Sequence, residues 1–155
     1  MAGTRGQQGV ELLVIFATAL AVFITFYGIF AQQYGESVKK QAEAESMAVA
    51  DAIAEEMSIA ARAGDGYSRR ITYPTRISGA ITYNIELNNV SGSVDISAAL
   101  GTNNVFAYAA PVATNAISGE PEYASPNGFS VLVSKGFAYV ENREGRVVFN
   151  QTRMS

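Results

Sequence analysis

The chain has no cysteine and no histidine, only four prolines, and charged residues make up just 16% of its 155 positions. Without Cys or His there is no disulfide framework, no zinc site built on thiolate or imidazole, no His-ligated haem, and neither Ser-His-Asp nor Cys-His catalysis. A formal net charge of −3 argues against a nucleic-acid surface, which needs an excess of Lys and Arg on one face. Lack of Cys does not assign a redox compartment. It means that an exported chain would be held together by packing alone.

What is abundant is apolar residues, 48% of the chain, and they are unevenly spread. Residues 1–8 are short and polar. Residues 10–31, VELLVIFATALAVFITFYGIFA, carry one charge, Glu11. At ~1.5 Å per residue this run is roughly 33 Å long, enough to cross a hydrocarbon layer of about 30 Å. The rest of the chain is too small to surround a helix apolar on every side, which argues against a buried core helix. A secretory signal peptide fits poorly, because the run is longer than the usual ~7–15 residues and no small-x-small cleavage site comes after it. The segment reads as a helix inserted in a membrane or buried in a filament.

Residues 32–63 are polar, helix-prone and free of Pro, so the helix is expected to continue. Met47, Ala50, Ala54, Met57 and Ala61 recur at spacings of three and four, widened by Val49, Ile53 and Ala60 into a stripe suited to packing on a domain. Glu43, Glu45, Asp51, Glu55, Glu56 and Arg62 fall mostly off it. Gly64 is the expected terminator. One helix over 7–64 is predicted, apolar in its first half and amphipathic in its second, followed by a β domain over 65–155: an α+β chain with a small antiparallel β domain.

Past Gly66 the period becomes two. Ile81, Tyr83, Ile85 and Leu87 alternate with polar residues, and Val94 and Ile96 come after a turn at 88–92, predicting a hairpin. Residues 130–134, 137–141 and 146–150 read as strands joined by turns at Lys135-Gly136 and at 142–145. The stretch 98–127, with Pro111, Pro121 and Pro126, reads as loop-rich, with one short strand near 105–109.

The sharpest signal is Arg5-Gly6-Gln7-Gln8-Gly9-Val10-Glu11. A basic leader ends in Gly, and an acid stands five residues after it, inside the apolar helix. An ionised carboxylate in lipid costs a few kcal/mol, about 2.5–3.5 by insertion scales, so it calls for a partner. Cleavage after Gly6 would create one, the α-amino group of Gln7, in the same or a neighbouring chain. The other reading of Glu11 is a residue at the edge of a span, solvated by headgroups.

The stretch TRGQQGVELLVIFATALAVF resembles the class III signal peptide of archaeal type IV pilin-like proteins, which carry a charged and a small residue before the cut, Gln at the start of the mature chain and Glu at its fifth position. Family members often have Ser in place of Gly9 and Lys in place of Arg5. RRITYPTRISGAITYNIELNNVSGSVDI and GFAYVENREGRVVFN are similar, more loosely, to the Asn/Gly-turned strands of their C-terminal domains. The resemblance implies a leader over 1–6, cleavage between Gly6 and Gln7 with Arg5 in the recognition site, and an assembly helix in which Glu11, Phe16, Phe23, Phe26, Tyr27 and Phe30 meet neighbouring subunits. It implies a homopolymeric extracellular filament for adhesion, a membrane-inserted precursor, and a prepilin peptidase and assembly machinery as partners. Ala17, Ala19, Ala21 and Gly28 would let such helices approach closely. Archaellins, near relatives, usually end their leaders differently and lack the Gln-Gln…Glu arrangement.

Two alternatives stand beside a filament subunit. One is a single-span surface protein whose β domain binds a ligand or partner without polymerising; a simple anchor has no need of a cut ahead of its apolar segment. The other is an anchored enzyme, which the residues disfavour. No nucleophile–base pair can be assembled, Asp65-Gly66 and Glu120-Pro121-Glu122 are too sparse for a calcium loop or a phosphate cradle, and Ser134-Lys135 is better explained by a turn than by a dyad. No enzyme activity, cofactor or metal is therefore expected. Asn89-Val90-Ser91 and Asn150-Gln151-Thr152 match the N-glycosylation pattern and are expected at exposed turns or strand ends.

Overall fold

The computed structural model describes residues 3–101, 104–119 and 124–152, with the side chains of residues 3–8, 101 and 104 outside that description. The Glu120-Pro121-Glu122 stretch also lies outside the described residues.

Helix α1 spans Gly3–Ala63, beginning before the expected residue 7. It ends where expected, and for the expected reason: Gly64 takes a φ of 83°, a conformation without penalty for a residue lacking Cβ. Its N–H donates to the Ala60 carbonyl at 3.3 Å, the single-bond form of a left-handed helix cap.

The chain divides into two compact units, Met1–Lys39 and Lys40–Ser155. In the second, the C-terminal part of α1 packs with nine strands among the described residues: β1 Ser68–Thr72, β2 Tyr83–Asn88, β3 Ser93–Gly101, β4 Asn104–Pro111, β5 Ile117–Gly119, β6 Ala124–Ser125, β7 Gly128–Val131, β8 Phe137–Arg143 and β9 Arg146–Asn150. They form a five-stranded sheet in the order β4-β3-β2-β7-β6 and a four-stranded sheet in the order β1-β8-β9-β5. Pairing is antiparallel except between β5 and β9, which run parallel. The fold is α+β, a long N-terminal helix followed by mostly antiparallel sheets.

The core comes from the period-two patterns. Ile85 lies opposite Ile96 and Leu87 opposite Val94, while Val140 lies opposite Phe149 and Asn142 opposite Val147. With Ile53 and Met57 of α1 the apolar side chains of these pairs make one buried cluster, each large member stabilising the fold by about 1.5–3 kcal/mol relative to exposure. Two of the three expected turns close hairpins, at 88–92 and between β8 and β9. At 88–92 the Asn88 side-chain oxygen accepts from the Val90 and Ser91 N–H groups, each at 3.0 Å. Between β8 and β9, Glu144 and Gly145 have φ of 53° and 78°, the double positive pair of a tight hairpin turn.

Several expectations need correction. The buried stripe of α1 is Ala42, Ser46, Val49, Ala50, Ile53, Ala54, Met57 and Ala60, whereas Met47 is exposed. Glu56, expected off the stripe, is buried; its carboxylate accepts from the Tyr67 hydroxyl and from the Arg69 guanidinium at 3.1 Å. The bond from Tyr67 pushes its phenol above its usual value. The short strand expected near 105–109 forms as β4, but it is longer and makes the stretch read as loop-rich part of a long hairpin, in which Ala98 faces Phe106 and Ser93 faces Pro111. Of its alanines Ala98 and Ala110 are buried while Ala107 and Ala109 are exposed, and Pro111 stands at a strand end, where the missing N–H costs no ladder bond. Residues 68–72 form a strand that the sequence did not announce, with Ser68 opposite Glu141 and Thr72 opposite Phe137. Lys135-Gly136 is no hairpin turn. Val133–Lys135 is a single 3₁₀ turn closed by Gly136, and it carries the chain from β7 in one sheet to β8 in the other.

Candidate assembly and membrane surface

The sequence-predicted assembly residues lie on the first unit, where the 10–31 stretch is helical throughout and exposed. Phe16 is 68% exposed, Phe23 and Phe26 67%, Tyr27 70% and Phe30 74%, far more apolar surface than a water-soluble monomer leaves uncovered. Spacings of seven, four, three and four place Phe16, Phe23, Tyr27, Phe30 and Tyr34 on one face of the helix. Phe26 borders it. The two threonine hydroxyls in the run are satisfied on the helix itself: Thr18 donates to the Val14 carbonyl at 2.8 Å and Thr25 to that of Ala21 at 2.9 Å. Outside Glu11 and the Tyr27 hydroxyl, the segment therefore asks for apolar neighbours. Gly28 has open space around it, with nothing within 4 Å of an added Cβ.

By length and composition α1 can cross a membrane. Glu11 stands near the N-terminal edge of the apolar run and is the one charge within it. Arg5, Gly6 and Gln7 are in the α1 backbone. Their side chains, and with them any pairing of Glu11 with a Gln7 amine, lie outside the described residues.

In the β domain the two glycosylation sequons differ. Asn89 is partly exposed in the β2–β3 turn, its N–H donating to the Asn127 carbonyl at 3.0 Å, beside Val90 at 74% exposure. Asn150 is not at an exposed strand end as expected. It is 7% exposed, and its side-chain oxygen accepts from the Thr152 N–H at 2.7 Å.

The clefts of this domain are shallow. An open groove of about 410 Å³ runs between α1 and β1, lined by Val49, Ile53, Glu56, Arg69 and Tyr73 among others. On the outer face of the five-stranded sheet Glu86 lies opposite Asp95. Their oxygens accept from Ser125, and from Asn88 and Ser93, respectively. Ser134 and Lys135 share the 3₁₀ turn, and the Lys135 ammonium donates to the Gln151 carbonyl at 3.3 Å, which makes it a tether of the C-terminal segment. Among the described residues no group of three or more acidic side chains gathers as a cation cage.

Two organising side chains escaped sequence reasoning, Asn142 and Gln151, buried at 2% and 5% exposure. Gln151 pairs with both backbone groups of Leu132, accepting from its N–H at 2.7 Å and donating to its carbonyl at 2.9 Å. Nothing in their sequence neighbourhoods marks a buried amide. Compared with known protein families, curated proteins and solved structures, the chain matches none.

Proposed function

We propose that the chain is the structural subunit of a pilin-like extracellular filament: a precursor inserted in the membrane through residues 10–31, cut between Gly6 and Gln7, and assembled by packing that helix against helices of other copies, with adhesion as the role of the finished fibre. The observation that carries this reading is the exposure of the helix. Every large apolar side chain from Leu12 to Tyr34 stands roughly half or more exposed. Lipid covers such a surface in the precursor. In a filament neighbouring helices replace lipid of similar polarity, so close fit supplies the specificity. A single charge at Glu11, preceded by a cleavable basic leader, supports the same reading. The new Gln7 amine provides the opposite charge one helical turn away in the same chain, or at matching depth in a neighbour.

Replacing Glu11 with Val tests it. Insertion and processing should persist, and filaments seen by electron microscopy should fall to few or none. Normal filament numbers in Glu11→Val cells would show that charge pairing plays no part in assembly.

A further inference from the structure

Each sheet has two edges, and among the described residues these are β1, β5, β4 and β6. An edge strand presents unpaired N–H and C=O groups and invites another strand unless it is short or charged. β5 has three residues and β6 two. β1 carries Arg69 and Arg70, the first paired with Glu56 and the second stacked 4.6 Å above the Phe137 ring. β4 is different. It is eight residues long, NVFAYAAP, with no charge, and its neighbour among the described residues is β3 alone. Val105 is 68% exposed, Ala107 and Ala109 are exposed, and Phe106 and Tyr108 are only half-buried beneath.

We infer that β4 pairs antiparallel with β4 of a second copy, about a two-fold axis through Ala107, joining two five-stranded sheets edge to edge. Charge selects the partner. A strand paired with its own copy sets like charges against each other, which is destabilising; β1 would oppose arginine with arginine, whereas β4 has nothing to repel. Register selects the axis. With Ala107 opposite Ala107, residues 104–110 all find partners and Pro111, which has no N–H to give, falls just outside the ladder. Val105 then meets Ala109 on the outer face, and Phe106 meets Tyr108 twice on the inner one, an aromatic cross-strand pair that stabilises antiparallel sheets. An axis one residue later brings Pro111 into the ladder opposite Val105 and separates the aromatics. The Tyr108 hydroxyl donates to Asp51 at 2.9 Å, holding its ring in place for this contact. The contact involves none of the apolar helix, so it stands or falls apart from the filament reading.

The absence of native cysteine makes the test clean. The full chain, held in detergent micelles through its apolar helix, is prepared as Ala107→Cys and as Val105→Cys and oxidised. Opposed residues in an antiparallel pair have Cα atoms about 4.5–5.5 Å apart, within disulfide reach. Val105 of one copy lies about 14 Å from Val105 of the other, four residues along the strand. Most of the A107C chain should run as a disulfide dimer on a non-reducing gel and V105C should stay monomeric, while V105C mixed with A109C cross-links. A107C remaining monomeric, as when a foreign strand or none takes this edge, overturns the proposal; so does V105C cross-linking as readily as A107C.

Discussion

The side-chain amide of Asn142 donates to the main-chain carbonyl of Ala60 at 2.9 Å, tying the last turn of α1 to the middle of the four-stranded sheet. The same residue accepts from the Gly145 N–H at 3.1 Å through its side-chain oxygen, and its main chain exchanges bonds with Gly66 and Tyr67. One buried amide thus closes the helix, the first loop and the β8–β9 turn together. Without that amide the Ala60 carbonyl keeps the Gly64 N–H at 3.3 Å, but two side-chain bonds of a buried amide are lost, each worth about 0.5–1.5 kcal/mol.

Replacing Asn142 with Ala should therefore destabilise the β domain by about 2 kcal/mol. The denaturant midpoint should fall with an unchanged slope. A loss below about 0.5 kcal/mol would mean that the Gly64 N–H caps Ala60 unaided.

Two glycines should behave in opposite ways. A Cβ on Gly128 would stand 1.8 Å from the Leu87 carbonyl oxygen, inside the β2–β7 ladder where Gly128 faces Asn88. Gly128→Ala should cost more than about 4 kcal/mol, in the exceptional range for one substitution, and the far-ultraviolet strand signal should be lost. Gly28→Ala meets nothing within 4 Å and should leave the fold intact, favouring the helix by up to ~1 kcal/mol.

Alkali should unfold the domain through its buried phenols. Burial pushes Tyr83 up to about 12 and raises Tyr73 as well; the Tyr83 hydroxyl donates to the Pro74 carbonyl and that of Tyr73 to the Phe137 carbonyl. The folded state holds the neutral phenols more firmly than the unfolded state does. This stability is fully present below about pH 10, the unfolded value, and is lost as pH rises from there through about 12. Phenolate absorbance should show these two tyrosines ionising late and together with unfolding. Ionisation of every tyrosine near pH 10 with circular dichroism unchanged would contradict their burial.

Of the two sequons, the Asn89 peptide from native material should carry glycan and the Asn150 peptide none, because of the two only Asn89 is open to an enzyme in the folded domain. Peptide mass mapping that found glycan on Asn150 alone would reverse the assignment.

Much of this architecture was legible in the residues, and the exceptions share a cause. The apolar run, the stop at Gly64, the alternation from Tyr83 to Leu87 and the β8–β9 hairpin declare themselves, because each depends on a property of single residues: hydrophobicity, positive φ, period two. The stripe of α1 was legible from Val49 to Ala60 and missed at its start, where Ala carries little phase information and Met47 stood in for the small buried Ser46. The β3–β4 hairpin was hidden in an alanine-rich stretch, where propensity is weak and pairing decides. Strand β1, with consecutive arginines, is a strand only because β8 lies beside it. The roles of Asn142 and Gln151 depend on backbone groups brought close by the fold, some 82 and 19 positions away. Exposure of the apolar helix, the feature on which the proposed function rests, was readable from the composition of residues 10–31.

The most direct measurement is the composition and N-terminal peptide of filaments sheared from native cells. Electron microscopy of the sheared fraction should show thin fibres, mass spectrometry should find this chain as a fibre component, and its first peptide should begin at Gln7. Recovery of the chain only in the membrane fraction, with Met1 or Ala2 still at its N-terminus, would contradict the account and leave a surface protein that is anchored and never polymerised.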